Sequence, residues 1–173
     1  HLGLFFGSRL PKNLKIAAQD TFNESSGAFT GFVSPMQVFG LGVDYVILGH
    51  SEQRDLGDTS VLVSHKIQGA LKAKLNPIVC VGEVNRDFDG GFWHILREQI
   101  EETLSGITAK DIGKIIIAYE PVWAVGEHSN GAMKPEDLHE TILFIRKIIS
   151  HLYGGKIGKG ITILYGGSVF PDT

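Results

Sequence analysis

Five apolar, strand-like runs recur along the chain at intervals that suit successive βα units. Their starts lie 30, 33, 37 and 47 residues apart, near Leu14, Asp44, Pro77, Lys114 and Ile161. Helical segments fill the intervals, and the apolar runs show no polar alternation, so the pattern predicts a parallel sheet covered on both faces. An open doubly wound sheet and part of a closed barrel both satisfy this periodicity.

Three of the intervening helices carry recognisable start signals. The cap-like pairs are Ser34-Pro35, Asp58-Thr59 and Lys134-Pro135. We expect the first helix to end at Gly40 or Gly42 and the third to end at Gly154. The glycine-rich residues 154–160 precede a strand and lack the spacing of a phosphate-binding loop, so we interpret them as a helix-to-strand connection.

The composition indicates one soluble globular domain over residues 1–173. The chain is 43% hydrophobic and 20% charged, with a formal net charge of −3. This balance argues against a nucleic-acid surface, and no apolar stretch reaches the about 18 residues of a membrane span. Cys80 is the only cysteine, so it forms no internal disulfide. We therefore expect a reducing, cytoplasmic compartment.

Polar side chains follow each of the predicted strands. They are Asp20, His50, Glu83, Glu120 and Ser168. Because the carboxyl ends of parallel strands meet at one edge of a sheet, these residues are candidates for a shared site. A partly buried carboxylate in such a place is a stronger base than a solvated one, although an isolated glutamate at a strand end is more often simply solvated.

The segment AYEPVWAVG at residues 118–126 is the most distinctive motif. It places a carboxylate, a stiff Pro-Val-Trp segment and a glycine-containing tip directly after an apolar strand. Five further motifs accompany it, at residues 17–20 (AAQD), 27–31 (GAFTG), 45–52 (YVILGHSE), 80–83 (CVGE) and 165–169 (YGGSV). In this order the six motifs resemble those of the triosephosphate isomerase family, and the match runs from about Leu14 to Val169.

The resemblance implies a (β/α)8 TIM barrel, with the active site at the carboxyl ends of the strands. About five βα units are recognisable in this chain. Two family features have no match here: the Asn-x-Lys motif that ends the first strand, and the glycine-rich motifs of the last strand. We therefore expect an incomplete barrel.

The resemblance also implies an aldose–ketose isomerase that interconverts dihydroxyacetone phosphate and D-glyceraldehyde 3-phosphate through an enediolate. Glu120 would be the base and His50 a neutral hydrogen-bond donor, a pairing for which triosephosphate isomerase is itself the reference case. Glu52 would be a supporting acid. No metal or organic cofactor is implied.

Two further groups of residues are assigned by the resemblance. One is a lid that closes over the substrate, with its hinge at Pro121, Val122 and Trp123. The other contacts the substrate phosphate, through Gly126 at the lid tip and through Gly166, Gly167 and Ser168 after the last strand, because successive backbone N–H groups can face one anion.

The family resemblance further implies a homodimer of the full-length protein, with Thr30 reaching into the neighbouring subunit. In the family a Glu after the Thr-Gly pairs across the interface with an Arg after the His-Ser-Glu. Phe32 and Gln53 stand at these positions here, so both halves of the ion pair are replaced together. We expect Phe32 to pack against the partner; the alternative is a monomer with Phe32 in its own core.

Two function classes remain open from the sequence. One is the isomerase described above. The other is a catalytically inactive barrel fragment or non-enzymatic assembly unit, because the Asn-x-Lys strand and the last strand are not recognisable. For the same reason we expect the 173-residue chain to have little activity by itself.

Overall fold

The computed structural model describes residues 11, 13–87, 89–124, 132–167 and 169 of the chain. The strands are β1 (Ala17–Ala18), β2 (Tyr45–Leu48), β3 (Asn76–Val81), β4 (Ile116–Tyr119) and β5 (Ile163–Tyr165). The helices are α1 (Pro35–Gly40), α2 (Ser51–Asp55), α3 (Ser60–Lys72), α4 (Phe92–Thr103), α5 (Pro135–Tyr153) and α6 (Gly155–Gly160). Short 3₁₀ helices cover Ile112–Lys114 and Val122–Ala124.

The five strands form one parallel sheet in the order β1-β2-β3-β4-β5. Each new strand is added beside the previous one, and the order never reverses among these strands. A doubly wound sheet requires such a reversal, whereas a barrel adds its strands sequentially. The topology therefore favours the barrel over the open sheet.

The register aligns the carboxyl ends of the strands. Leu48 pairs with Val79, and Tyr119 pairs with Val81 on one side and with Tyr165 on the other. Residues that follow these strands therefore emerge along the same edge of the sheet.

The helix boundaries follow from local capping. Ser34 Oγ accepts a hydrogen bond from the Gln37 N–H, while Gln37 Oε1 accepts one from the Ser34 N–H, and Pro35 occupies the first turn. This reciprocal cap satisfies two backbone donors that the helix itself leaves free. At the other end of the chain, Gly154 terminates α5 with a φ of 96°, a conformation that favours glycine.

The core lies between the sheet and the three long helices. Fully buried side chains come from the strands and from α3, α4 and α5: Val46, Leu48, Val79, Ile117, Val63, Ile67, Leu96, Ile100, Ile145 and Ile149. Burial of one such aliphatic side chain contributes about 1.5–3 kcal/mol, so this layer fixes the sheet on which the site is built.

Two features differ from the sequence-based expectation. The strands begin one to three residues from the expected starts, and β1 contains only two residues. The expected connection at residues 154–160 contains a helix, α6. Arg146 stabilises it, because Nη1 donates hydrogen bonds to the carbonyl oxygens of Gly158 and Lys159 at 3.0 and 2.7 Å.

Candidate active site

His50 lies between the end of β2 and the start of α2, which it caps. Its Nδ1 accepts a hydrogen bond from the Glu52 N–H at 3.3 Å. A neutral imidazole that accepts at Nδ1 carries its proton on Nε2. The Nε2–H group is therefore available as a donor on the other side of the ring.

Glu120 follows β4 and faces that donor. Glu120 Oε2 lies 3.6 Å from His50 Nε2, beyond ordinary hydrogen-bond distance. In the described part of the chain, this oxygen is buried and has no hydrogen-bond partner. A buried carboxylate oxygen without a donor lowers the stability of the fold, so its presence calls for a functional explanation. Here the oxygen lies beside a potential proton donor, His50 Nε2–H.

Backbone contacts hold Glu120 in this position. Its N–H donates to the Val81 carbonyl at 2.8 Å. Gly82 lies so close to the Glu120 carbonyl that a β-carbon at residue 82 would overlap it, and the backbone of Gly166 lies against the Glu120 side chain. The end of β3 and the residue after β5 therefore enclose the carboxylate.

Cys80 also borders Glu120. Burial, together with the neighbouring Glu120 carboxylate, raises the pKa of the Cys80 thiol far above its usual range. A thiol in this state is a poor nucleophile, which agrees with its interpretation as a core residue.

Glu83 is buried and accepts hydrogen bonds from the residues that flank Glu120. Tyr119 Oη donates at 2.9 and 3.0 Å to the two carboxylate oxygens, and Trp123 Nε1 donates at 3.0 Å to Oε1. Burial, and secondarily the Glu83 carboxylate, raises the pKa of Tyr119. This network joins Glu83 to both sides of the Glu120 segment. The only sequence signal for it is a glutamate within the apolar CVGE run, since a buried carboxylate needs donors.

The expected lid hinge begins directly after Glu120. Pro121 is buried, and the Val122 N–H donates to the Glu83 carbonyl at 2.9 Å. The Trp123 indole is fixed to the Glu83 side chain, as described above. The lid tip at Gly126 lies outside the described residues.

The predicted phosphate-binding residues are only partly covered. Gly166 follows β5 and donates its N–H to the Tyr119 carbonyl at 2.9 Å. Gly167 packs against the Tyr165 hydroxyl, which accepts a hydrogen bond from the Met133 N–H at 3.2 Å. Ser168 lies outside the described residues.

Glu52 and Asp20 do not join the His50–Glu120 pair through their carboxylates. The Glu52 side chain is 85% exposed and lies 3.9 Å from His50 Nδ1, so its backbone N–H makes the shorter contact. Asp20 pairs with Lys66 at 2.9 Å, and Lys66 also pairs with Asp58 at 2.7 Å. That ion network ties the end of β1 to α3.

Sequence reasoning missed Arg54, which joins two strand ends. Its Nε donates to the Gly49 carbonyl at 2.8 Å, and Nη2 donates to the Cys80 carbonyl at 3.3 Å. Burial lowers the pKa of this guanidinium, with opposing contributions from neighbouring acidic groups. The signal that could have revealed it is a cation on the helix that directly follows His50.

The residues expected at a dimer interface lie on the surface of this chain. Thr30 is exposed, Gln53 is half-buried, and Phe32 is 62% exposed with its ring 4.4 Å from that of Phe22. Phe32 therefore does not enter the core of its own chain. Val33 and Met36 extend the apolar surface beside it.

The described residues contain neither a candidate metal site nor a candidate membrane span. No group of three or more His, Cys, Asp or Glu side chains there could hold a metal ion. Nor is any helix in the described ranges long and apolar enough to cross a membrane.

Comparison with known proteins decides the family. The triosephosphate isomerase family model matches residues 5–173. The chain belongs to the triosephosphate isomerase family. This confirms the family and the TIM-barrel fold class that the six motifs predicted.

The chain is also similar to several bacterial triosephosphate isomerases. It is 43% identical to that of Caldanaerobacter subterraneus subsp. tengcongensis over 162 residues, which cover 92% of this chain and 64% of the relative. It is 42% identical to that of Geobacter metallireducens over 163 residues, covering 92% and 64%. The enzyme of Dictyoglomus thermophilum is 41% identical over 173 residues, covering 98% and 69%.

The chain thus spans slightly less than two thirds of the length of the first of these relatives. All three relatives are triosephosphate isomerases by name, and these comparisons give no support to the alternative of an inactive fragment or assembly unit.

Proposed function

We propose that the complete protein is a triose-phosphate isomerase that interconverts dihydroxyacetone phosphate and D-glyceraldehyde 3-phosphate, a step of glycolysis and gluconeogenesis. The observation that carries the proposal is the buried Glu120 Oε2, which has no hydrogen-bond partner among the described residues and lies 3.6 Å from His50 Nε2. Membership of the family and the similarity to named isomerases support the choice of substrate.

The two side chains have complementary tasks in this reaction. The Glu120 carboxylate removes a proton from the carbon beside the substrate carbonyl, while His50 Nε2–H donates a hydrogen bond to the carbonyl oxygen, where negative charge develops. The enediolate then receives the proton on the neighbouring carbon, while the proton of the original hydroxyl group moves to the former carbonyl oxygen, and Glu120 returns to its carboxylate form. The reaction moves protons within the substrate without net oxidation or reduction, so it needs no redox cofactor.

The Glu52 carboxylate has a lesser part in this proposal than the sequence suggested. Its N–H group fixes the histidine tautomer, while the exposed side chain adds negative charge near the imidazole. Glu52 therefore supports His50 chiefly through its backbone.

Substrate positioning belongs to the remaining residues of the predicted site. Pro121, Val122 and Trp123 would act as the hinge of a lid that excludes water, and Gly126 would meet the phosphate at the lid tip. Gly167 and Ser168 would supply backbone N–H groups to the same phosphate, whereas the Gly166 N–H is already bonded to the Tyr119 carbonyl. The hydrogen bond from Trp123 to buried Glu83 anchors the hinge to the core.

Steady-state isomerase kinetics of the complete protein test this function. We expect the turnover of Glu120→Gln to be several powers of ten lower than that of the parental protein, because the substitution keeps the shape of the side chain but removes the base. Glu98→Gln is the matched control, because Glu98 is an exposed glutamate on α4. A complete protein without isomerase activity, or a Glu120→Gln variant with parental turnover, would contradict the proposal.

We also propose that the complete protein is a homodimer. Phe32, with Val33 and Met36 beside it, presents an exposed apolar surface of the kind that subunit contacts cover. When both members of an interfacial ion pair are replaced, no unpaired charge is left in the interface. Apolar packing can therefore take the place of the ion pair. Thr30 and Gln53 would border this contact.

The domain organisation and compartment complete the proposal. One continuous five-stranded sheet over one hydrophobic core supports a single domain at residues 1–173. The only cysteine is a buried free thiol, which suits the reducing cytoplasm.

A further inference from the structure

Gln99 extends from the outer helix layer to the end of β3. It lies on α4, and its Oε1 accepts a hydrogen bond from the Gly82 N–H at 2.8 Å. The Gln99 side chain borders the same small cavity as Gly82, Glu120 and Val122. A polar group of α4 therefore reaches the place where the end of β3 meets the residue after β4.

Gly82 links Gln99 to the backbone of Glu120. A β-carbon at residue 82 would overlap the Glu120 carbonyl, so the two backbones are in direct contact. The preceding residue, Val81, accepts the Glu120 N–H at 2.8 Å, and the following residue, Glu83, accepts the Val122 N–H at 2.9 Å. A shift of Gly82 must therefore move the backbone that carries the base.

We propose that Gln99 is a positioning residue that sets the placement of the Glu120 carboxylate through Gly82. The inference rests on the proposed function, since it assigns Glu120 as the base. Gly82 is buried, so without the Gln99 acceptor its N–H must either go unpaired or recruit water. Either change displaces Gly82 or hydrates the cavity beside Glu120.

Two substitutions at Gln99 test the effect of the hydrogen bond and the effect of charge in the cavity separately. Gln99→Met keeps the length of the side chain but removes the acceptor. We expect kcat to fall about 10- to 100-fold, because small displacements of a reacting group have effects of this size, while KM changes little. Gln99→Glu keeps an acceptor but adds a carboxylate near Glu120, so we expect the acidic limb of the pH–rate profile to move to higher pH.

Gln68→Met is the matched control. Gln68 lies on the neighbouring helix α3, and among the described residues its amide makes only long contacts of 3.4 and 3.5 Å to Ser64 Oγ and the Ser105 carbonyl. We expect this variant to retain parental kcat and the parental pH profile.

The titration of the Glu120 carboxyl, followed by ¹³C NMR in the labelled complete protein, supplies a readout that needs no turnover. If the parental protein has no isomerase activity, the proposed function fails, and the titration midpoint alone decides the role of Gln99. A midpoint that moves in Gln99→Met but stays in Gln68→Met supports the inference.

The inference is overturned if the Gln99 variants lose only thermal stability and keep the parental kcat, pH profile and Glu120 midpoint. If Gln99→Met does not fold, Gln99→Asn decides the question through kcat and the Glu120 midpoint, because its shorter side chain draws the acceptor away from the Gly82 N–H.

Discussion

The backbone of Gly166 lies against the side chain of Glu120, and a β-carbon added at residue 166 would come 2.6 Å from Glu120 Cγ and 2.7 Å from Oε1. Real β-carbons do not approach other atoms this closely, so either the loop after β5 or the carboxylate would have to move. Glycine at this position is therefore a condition for the observed His50–Glu120 geometry.

We accordingly predict that Gly166→Ala lowers kcat about 100-fold in the complete protein, because displacement of a catalytic group by about 1 Å has an effect of this order. Gly113→Ala is the control, since a β-carbon there meets no atom of the described residues within 4 Å. Steady-state kinetics of both variants check the prediction. Parental kcat in Gly166→Ala would show that the carboxylate does not depend on this contact.

Tyr119→Phe should destabilise the fold. The substitution removes the hydroxyl that donates to both Glu83 oxygens and leaves a buried carboxylate with only the Trp123 donor among these contacts. We expect the free energy of unfolding to fall by about 1.5–3 kcal/mol, the usual range for a hydrogen bond to a charged group.

Denaturant unfolding measures this loss, with Tyr45→Phe as the control. Tyr45 lies on β2 and is half-buried, so removal of its hydroxyl should change the free energy by about 0.5 kcal/mol or less. Equal losses in the two variants would argue against a special role for the Glu83 network.

Cys80 should make the fold less stable at alkaline pH. Burial raises the pKa of the folded thiol far above the ordinary value of 9.0. The stabilisation from a protonated thiol is therefore fully present below about pH 9 and declines as the pH rises further, by about 1.4 kcal/mol per pH unit for one proton. Unfolding measurements between pH 8 and 10 should show a smaller decline in Cys80→Ala. The same decline in both proteins would assign it to other groups.

Phe32→Glu should weaken the proposed dimer, because it places a carboxylate without a partner on an interface. Sedimentation velocity over a range of concentrations should show dissociation at a higher protein concentration than for the parental protein. Leu143→Glu is the control, since Leu143 is also exposed but lies on α5. An unchanged, tight dimer in Phe32→Glu would contradict this interface.

Most of the fold could be predicted because its signals are local. Pro135 and Gly154 mark the two ends of α5, and the apolar runs locate the five strands to within three residues. Helix α6 escaped prediction because its glycines disfavour a helix when considered alone. It forms through tertiary contacts: Gly158 packs so tightly against α5 that a β-carbon would overlap Ser150, and Arg146 binds its carbonyl groups.

The candidate site likewise contains contacts that the sequence predicts and contacts that it does not. The approach of His50 to Glu120 was predictable, because both follow parallel strands whose carboxyl ends share one edge. The bonds of Trp123 to Glu83 and of Gln99 to Gly82 were not, since they depend on the reach of side chains separated by 40 and 17 residues. Periodicity and motif order carry no information about such contacts.

In the proposed reaction, Glu120 moves a proton between adjacent carbons of the substrate. The most direct test is to incubate dihydroxyacetone phosphate with the complete protein in D₂O and to follow deuterium incorporation into the triose phosphates by ¹H NMR. We predict that the parental protein and Glu98→Gln exchange the substrate proton during isomerisation, whereas Glu120→Gln slows this exchange by several powers of ten. Exchange at the parental rate in a folded Glu120→Gln variant would contradict the account and assign the base to another residue.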